Sequence, residues 1–186
     1  MKTDLKWIVT RVDGKISSVS LDFHGLEKVV KQINSMPADR TGSLSVEKLS
    51  TDALVALGKT LSWDDLNLFG TDFQKKVWEE LFKLNHTPGL EPRLLSYSEF
   101  ATICGNRPGI RAVAHAVGLN PVAVIIPCHR IIPKESIDRI AEREEAAQKT
   151  IFKGADLWLF DAIDFGEYAL GKEMKRDIIA AELDKN

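Results

Sequence analysis

Ser96-Tyr97-Ser98-Glu99-Phe100-Ala101-Thr102-Ile103-Cys104-Gly105-Asn106-Arg107-Pro108-Gly109-Ile110-Arg111-Ala112-Val113-Ala114-His115-Ala116-Val117-Gly118 contains two short helices and the corner between them. Ser96 and Glu99 have capping-box spacing, in which hydroxyl and carboxylate satisfy the free N–H groups of a first turn. Gly105 ends that helix, and Asn106-Arg107-Pro108-Gly109 makes a tight connection. Ile110 to Gly118 is rich in Ala and Val and reads as a second helix. Helix, glycine-containing turn and helix is the helix-turn-helix pattern, which many helical domains share.

Outward from this stretch, the spacing of Phe73, Val77, Leu81 and Leu84 predicts a helix capped by Thr71 or Asp72. Two strands are predicted over 5–21, joined by the type I′ turn signal Asp13-Gly14. Helices are expected over 25–34 and 44–61, the second striped by Leu54, Leu57 and Leu61, with a short strand at 66–69. Further helices are expected over 136–152, with Ile137 and Ile140 inward, and over 171–183, with Met174, Ile178 and Ala181 inward. Leu157-Trp158-Leu159-Phe160 needs burial or a partner. The reading gives a small α/β unit over 1–69 and a mainly helical one over 70–186.

The chain of 186 residues is long enough to bury a core, and its 44% apolar and 28% charged composition is that of a globular protein. A net charge of −2 argues against wholesale polyanion binding. That charge is uneven. Arg93, Arg107, Arg111 and Arg130 face only Glu99 within 92–133, while 134–186 is acidic. Two cysteines exclude a disulfide scaffold and fit a reducing, cytoplasmic setting. No apolar run is long enough to span a membrane, and the N-terminus has no secretory h-region.

The segment richest in chemistry is Asn120-Pro121-Val122-Ala123-Val124-Ile125-Ile126-Pro127-Cys128-His129-Arg130. A thiolate is the competent form of a cysteine nucleophile, and neighbouring basic groups favour it. A lone cysteine is otherwise a small core residue, which is the reading for Cys104.

Pro127-Cys128-His129-Arg130 with Asn120-Pro121 resembles the active-site signature of the O6-alkylguanine-DNA alkyltransferases (methylated-DNA–protein-cysteine methyltransferases). The resemblance extends to Gly70-Thr71-Asp72-Phe73-Gln74 with Val77-Trp78, to Ser96-Tyr97, to Arg111-Ala112-Val113, to Gly166-Glu167-Tyr168 and to 175–182. It implies an α/β protein with a ribonuclease H-like N-terminal domain and a winged-helix-like alkyltransferase domain. It also implies repair of DNA by a single irreversible transfer of an alkyl group from flipped-out O6-alkylguanine to Cys128.

In that scheme Tyr97 gives a proton to the departing guanine and helps rotate the nucleotide. His129 acts as base through a water, Glu182 orients His129, and Asn120 is a hinge. Arg111 fills the gap left by the flipped base. Ala112, Ala114, His115, Arg130 and Ser96 line the DNA-binding face, and Tyr168, Ala169 and Pro127 line the substrate pocket. Glu182 lies beyond an apparent insertion at about 134–165, so Glu167 and Glu173 are rivals for its role. No cofactor or metal is implied, and His24 and His86 lack the cysteine companions of a zinc site. The insertion is read as a brace or as a surface for an unknown partner. The competing functions are a non-catalytic helix-turn-helix DNA binder and a thiol hydrolase or peroxidase.

Overall fold

The computed structural model describes residues 6–22, 42–86, 93–148 and 163–183. They form a mixed α/β protein of two compact units, residues 1–88 with 119–128 and residues 89–118 with 129–186. The helix expected at 25–34, the Trp158 cluster and His24 lie outside the described residues.

In the first unit, strands β1 (Lys6–Val12) and β2 (Lys15–Leu21) form an antiparallel hairpin. Asp13 and Gly14 adopt φ of 53° and 78°, as a type I′ turn requires. Strand β3 (Leu44–Ser50) joins the free edge of β1, giving the order β2-β1-β3. This corrects the helix expected over 44–61. Leu44 and Val46 stay exposed, so no buried face holds the segment in a helix, and all seven residues pair instead along the edge of β1. Only the second half of that segment is helical, as α1 (Thr51–Thr60), which carries Leu54 and Leu57 and ends before Leu61. It begins where the Ser50 hydroxyl accepts from the Ala53 N–H.

The strand expected at 66–69 shrinks to a single parallel bridge between Leu66 and Ile16, preceded by a 3-10 turn, Trp63–Asp65. Helix α2 (Asp72–His86) buries Val77, Trp78, Leu81 and Phe82. Thr71 caps it reciprocally with Gln74. Phe73, expected inward, is 37% exposed, because the buried face turns towards Trp78 and Phe82. The segment 119–128 docks on β2, where the Val19 N–H donates to the Pro121 carbonyl at 2.9 Å.

In the second unit, β4 (Leu95–Ser96) runs parallel to β5 (Ile131–Ile132). The capping box forms as expected at the start of α3 (Tyr97–Ile103). Gly105 takes φ of 70°, and a 3-10 turn at Arg107–Gly109 leads into α4 (Ile110–Gly118). Phe100 and Ala101 from α3 and Val113, Ala116 and Val117 from α4 are buried.

Helix α5 (Lys134–Gln148) starts two residues before the expected position. Helix α6 (Lys172–Leu183) follows the expected span closely and buries Ile178 and Ile179, while Met174 is only half-buried. Ile140 of α5 packs with Ile132, Ile163, Phe165 and Ile179, and Ile137 and Leu94 flank them. Both ends of the insertion thus pack into this unit's core, where each fully buried aliphatic side chain contributes about 1.5–3 kcal/mol. Among the described residues no helix is long and apolar enough to cross a membrane.

Candidate active site

The backbone leading to Cys128 is folded on itself. Ile126 N–H donates to Val122 O at 3.0 Å, Ile125 N–H to Ala123 O at 2.9 Å and Cys128 N–H to Ile126 O at 2.8 Å. Between them Val124 has φ of 71°. That is a costly conformation for a β-branched residue, and surrounding contacts must hold it. The Asn120 amide is central to the loop. Its Nδ2 donates to Ile126 O at 2.8 Å and to Cys128 Sγ at 3.0 Å, and lies 3.4 Å from Val122 O. Its Oδ1 accepts from Val122 N–H at 3.0 Å. Cys128 is 7% exposed. An N–H directed at its sulfur favours the thiolate.

Cys128, His129 and Arg130 form one turn of 3-10 helix. His129 is fully buried, and its Nε2 lies 3.1 Å from Glu182 Oε1. This close approach is not aligned as a good hydrogen bond, and neither ring nitrogen has a hydrogen-bond partner of ordinary geometry among the described residues. Arg130 Nε donates to the other Glu182 oxygen, Oε2, at 2.9 Å. Burial works against ionisation of Glu182, but His129 and then Arg130 hold its carboxyl down to about 2. Glu182 is therefore an ionised, half-buried carboxylate facing two consecutive residues. Its rivals are elsewhere: Glu167 pairs with Lys172 at 3.0 Å, and Glu173 is exposed.

Tyr97 is the first residue of α3 and half-buried. Ser96, expected on the DNA face, is 2% exposed and committed to capping, with its N–H and hydroxyl on Glu99 Oε2 at 2.8 and 2.7 Å. The Ser96 backbone and side-chain bonds lower the Glu99 carboxyl below the usual range. Arg111, Ala112 and His115 lie exposed on α4, and Ala114 is half-buried.

Arg130, also expected on DNA, is instead 8% exposed and turned to Glu182. Its place between His129 and the buried pair Ile131-Ile132 is the sequence signal that could have marked it as an internal cation. Pro127 is buried, Tyr168 half-buried and Ala169 exposed. Cys104 is buried and outside any disulfide just beyond the end of α3, consistent with packing.

Sequence reasoning missed one further buried cation. Lys175 is 1% exposed, and its Nζ donates to Ile131 O at 2.8 Å. Three residues after it on α6, Ile178 begins the buried Ile178-Ile179 pair, so the helix face was readable but the inward ammonium was not. Among the described residues no three His, Cys, Asp or Glu side chains gather as metal ligands.

Residues 72–151 match the family model described as the DNA binding domain of 6-O-methylguanine DNA methyltransferase. The chain is 46% identical over 72 residues to a probable methylated-DNA–protein-cysteine methyltransferase of Acanthamoeba polyphaga mimivirus. It is 47% identical over 68 residues to the methylated-DNA–protein-cysteine methyltransferase of Mycobacterium bovis. These matches cover 39% and 37% of this chain and 45% and 38% of the relatives, so they span less than half of either protein. Among solved structures, the O6-methylguanine-DNA methyltransferase of Pyrococcus kodakaraensis superposes with a TM-score of 0.58 at 21% identity, over 98% of this chain and 94% of that one. The Mycobacterium tuberculosis OGT solved in complex with DNA gives 0.50 at 22% identity, over 93% and 83%. At this identity the structures establish likeness of fold. The resemblance read from the sequence is thus borne out by family model and relatives.

Proposed function

We propose that this chain, whose residues 72–151 match the 6-O-methylguanine DNA methyltransferase DNA binding domain, repairs DNA by moving an alkyl group from O6 of guanine to Cys128. The observation that carries this reading is the side-chain order at one turn. A nucleophile receives an amide N–H on its sulfur and is followed directly by a buried histidine on an ionised carboxylate. This is the logic of a nucleophile, a base and a group that orients the base.

The damaged guanine leaves the stack, at a cost of a few kcal/mol. Arg111 on α4 takes its place, with the small side chains of Ala112 and Ala114 and the longer His115 beside the minor groove. Exposure of Arg111 and His115 supports this face. His129 takes the thiol proton, through a water as the family resemblance implies, and Glu182 balances the imidazolium. The sulfur attacks the alkyl carbon in line, forming the S–C bond as the C–O6 bond breaks. The oxygen's electron pair returns to guanine, which Tyr97 neutralises with a proton. Tyr168, Ala169 and Pro127 border the base. The thioether resists hydrolysis, so each molecule acts once, without cofactor.

The same reading divides the chain into a ribonuclease H-like domain over 1–69 and a winged-helix-like alkyltransferase domain over 70–186 carrying the insertion at 134–165. It places a monomer in the cytoplasm, in keeping with two cysteines outside any disulfide. Packing of Ile140, Ile163 and Phe165 with Ile179 supports the insertion as a brace rather than a partner surface.

The test is the intact mass of the protein after incubation with a duplex carrying O6-methylguanine. One methyl should appear on Cys128 and none in Cys128→Ala. Tight binding of the duplex with no gain in mass refutes transfer and leaves the non-catalytic DNA binder.

A further inference from the structure

We propose that Asn85 is a positioning residue for Cys128. It acts by holding the strained turn three residues ahead of the thiol, and the inference rests on the alkyl-transfer reading above. The loop's internal bonds leave the Ile125 carbonyl unused by the loop itself, and the Asn85 amide fills it, with Nδ2 donating to Ile125 O at 3.1 Å. Ile125 directly follows Val124, whose φ of 71° a valine does not adopt unaided. The next peptide carries Ile126, whose carbonyl accepts from both Asn120 and the Cys128 N–H. Fixing the Ile125 carbonyl therefore fixes the peptide plane from which the sulfur is hung.

Asn85 is itself held. It occupies the last turn of α2, and its neighbour His86 fastens that turn to α1. His86 Nδ1 lies 2.9 Å from Phe82 O, Nε2 lies 3.0 Å from Gly58 O, and the ring stacks on Phe82 at 3.9 Å between centroids. Gly58 is buried and forms the floor under Ile125, since a Cβ there would stand 3.5 Å from Ile125 Cγ1 and 3.6 Å from its Cα. Ile125 is thus gripped at its side chain by α1 and at its carbonyl by α2. Without the Asn85 donor a buried carbonyl loses its partner, and the left-handed valine can relax towards ordinary backbone angles. That motion would carry Cys128 Sγ away from the Asn120 amide.

The experiment compares wild type, Asn85→Leu and Asn85→Gln, the last retaining the amide. Three quantities are read well below each protein's unfolding temperature. They are the single-turnover methyl-transfer rate at saturating O6-methylguanine duplex, the duplex Kd, and the rate of Cys128 carboxamidomethylation by iodoacetamide across pH. Asn85→Leu should slow transfer and carboxamidomethylation by about fivefold or more, as loss of one part-buried hydrogen bond implies. Its duplex Kd should stay within about twofold, and Asn85→Gln should recover part of the rate. A lower unfolding temperature with unchanged rates per folded molecule overturns the proposal. If Asn85→Leu does not fold, equal rates for Asn85→Gln and Asn85→Ser overturn it. If wild type transfers no methyl yet iodoacetamide still separates the variants, the alkyl-transfer reading fails and the positioning role stands.

Discussion

Glu182→Gln tests the centre of the site with a magnitude taken from the structure. The carboxylate is 16% exposed and bridges His129 and Arg130 at 3.1 and 2.9 Å. A folded value of about 2 against an ordinary 4.5 corresponds to about 3 kcal/mol of stability. Because the folded value is depressed, this stability is fully present above pH 4.5 and is lost as pH falls towards 2. Glutamine keeps the shape but leaves the buried Arg130 without a counter-charge, and breaking such a pair from one side is costly. The variant should therefore be less stable than wild type by about 3 kcal/mol at neutral pH. The gap should narrow steadily below pH 4.5, where the unfolded wild-type chain begins to take up a proton that the folded carboxylate still refuses. Urea unfolding followed by tryptophan fluorescence at several pH values measures both. A gap that is absent at neutral pH, or equally large at about pH 3, would refute the reasoning. Methyl transfer by the variant should fall in parallel, since the histidine loses the group that balances its charge.

Replacing Asn120 by Leu removes the N–H on Cys128 Sγ, and reaction of the thiol with iodoacetamide at neutral pH should slow on the order of tenfold. Arg111→Ala should weaken binding to a lesion-bearing duplex by about tenfold in a fluorescence anisotropy titration; unchanged affinity removes α4 from the interface. Two glycines should respond in opposite directions. Gly58→Ala, meeting only ordinary contacts at 3.5 Å, should stabilise α1 by about 0.5–1 kcal/mol in thermal melts. Gly70→Ala should destabilise by about 1–3 kcal/mol, because the new Cβ would lie 2.7 Å from the Trp78 ring.

Local rules were enough for the hairpin turn, the capping box at Ser96 and the helices α2 to α4 and α6, while Cys128 and His129 stood out as candidates only once the family resemblance was added. Each structural signal depends on residues a few positions apart: Asp13-Gly14 for left-handed φ, Ser96 with Glu99 for a helix start. Where local signals were ambiguous, tertiary pairing decided. The segment 44–50 carries leucines that fit a helix or a strand, and the open edge of β1 made it a strand. Leu66 to Phe69 had too little edge to pair with beyond one bridge.

The partners of the site were beyond the reach of spacing alone. Fifty-two positions separate Arg130 from Glu182, and in the sequence only the resemblance, with Lys175 and Ile178-Ile179 before it at the family's spacing, favours Glu182. The choice over Glu167 and Glu173 was made by the packing of α6, through Ile179, against Ile132, Ile140 and Phe165. The same packing turned Arg130 from a candidate phosphate contact into the buried counter-ion of Glu182. Sequence by itself determined the hairpin turn and most of the helices, and it singled out Cys128 as the candidate nucleophile, because turns and caps act over a few residues of chain. Only the tertiary structure decided which distant charge the histidine meets and which side chain holds the strained loop, because burial and long-range packing select those partners.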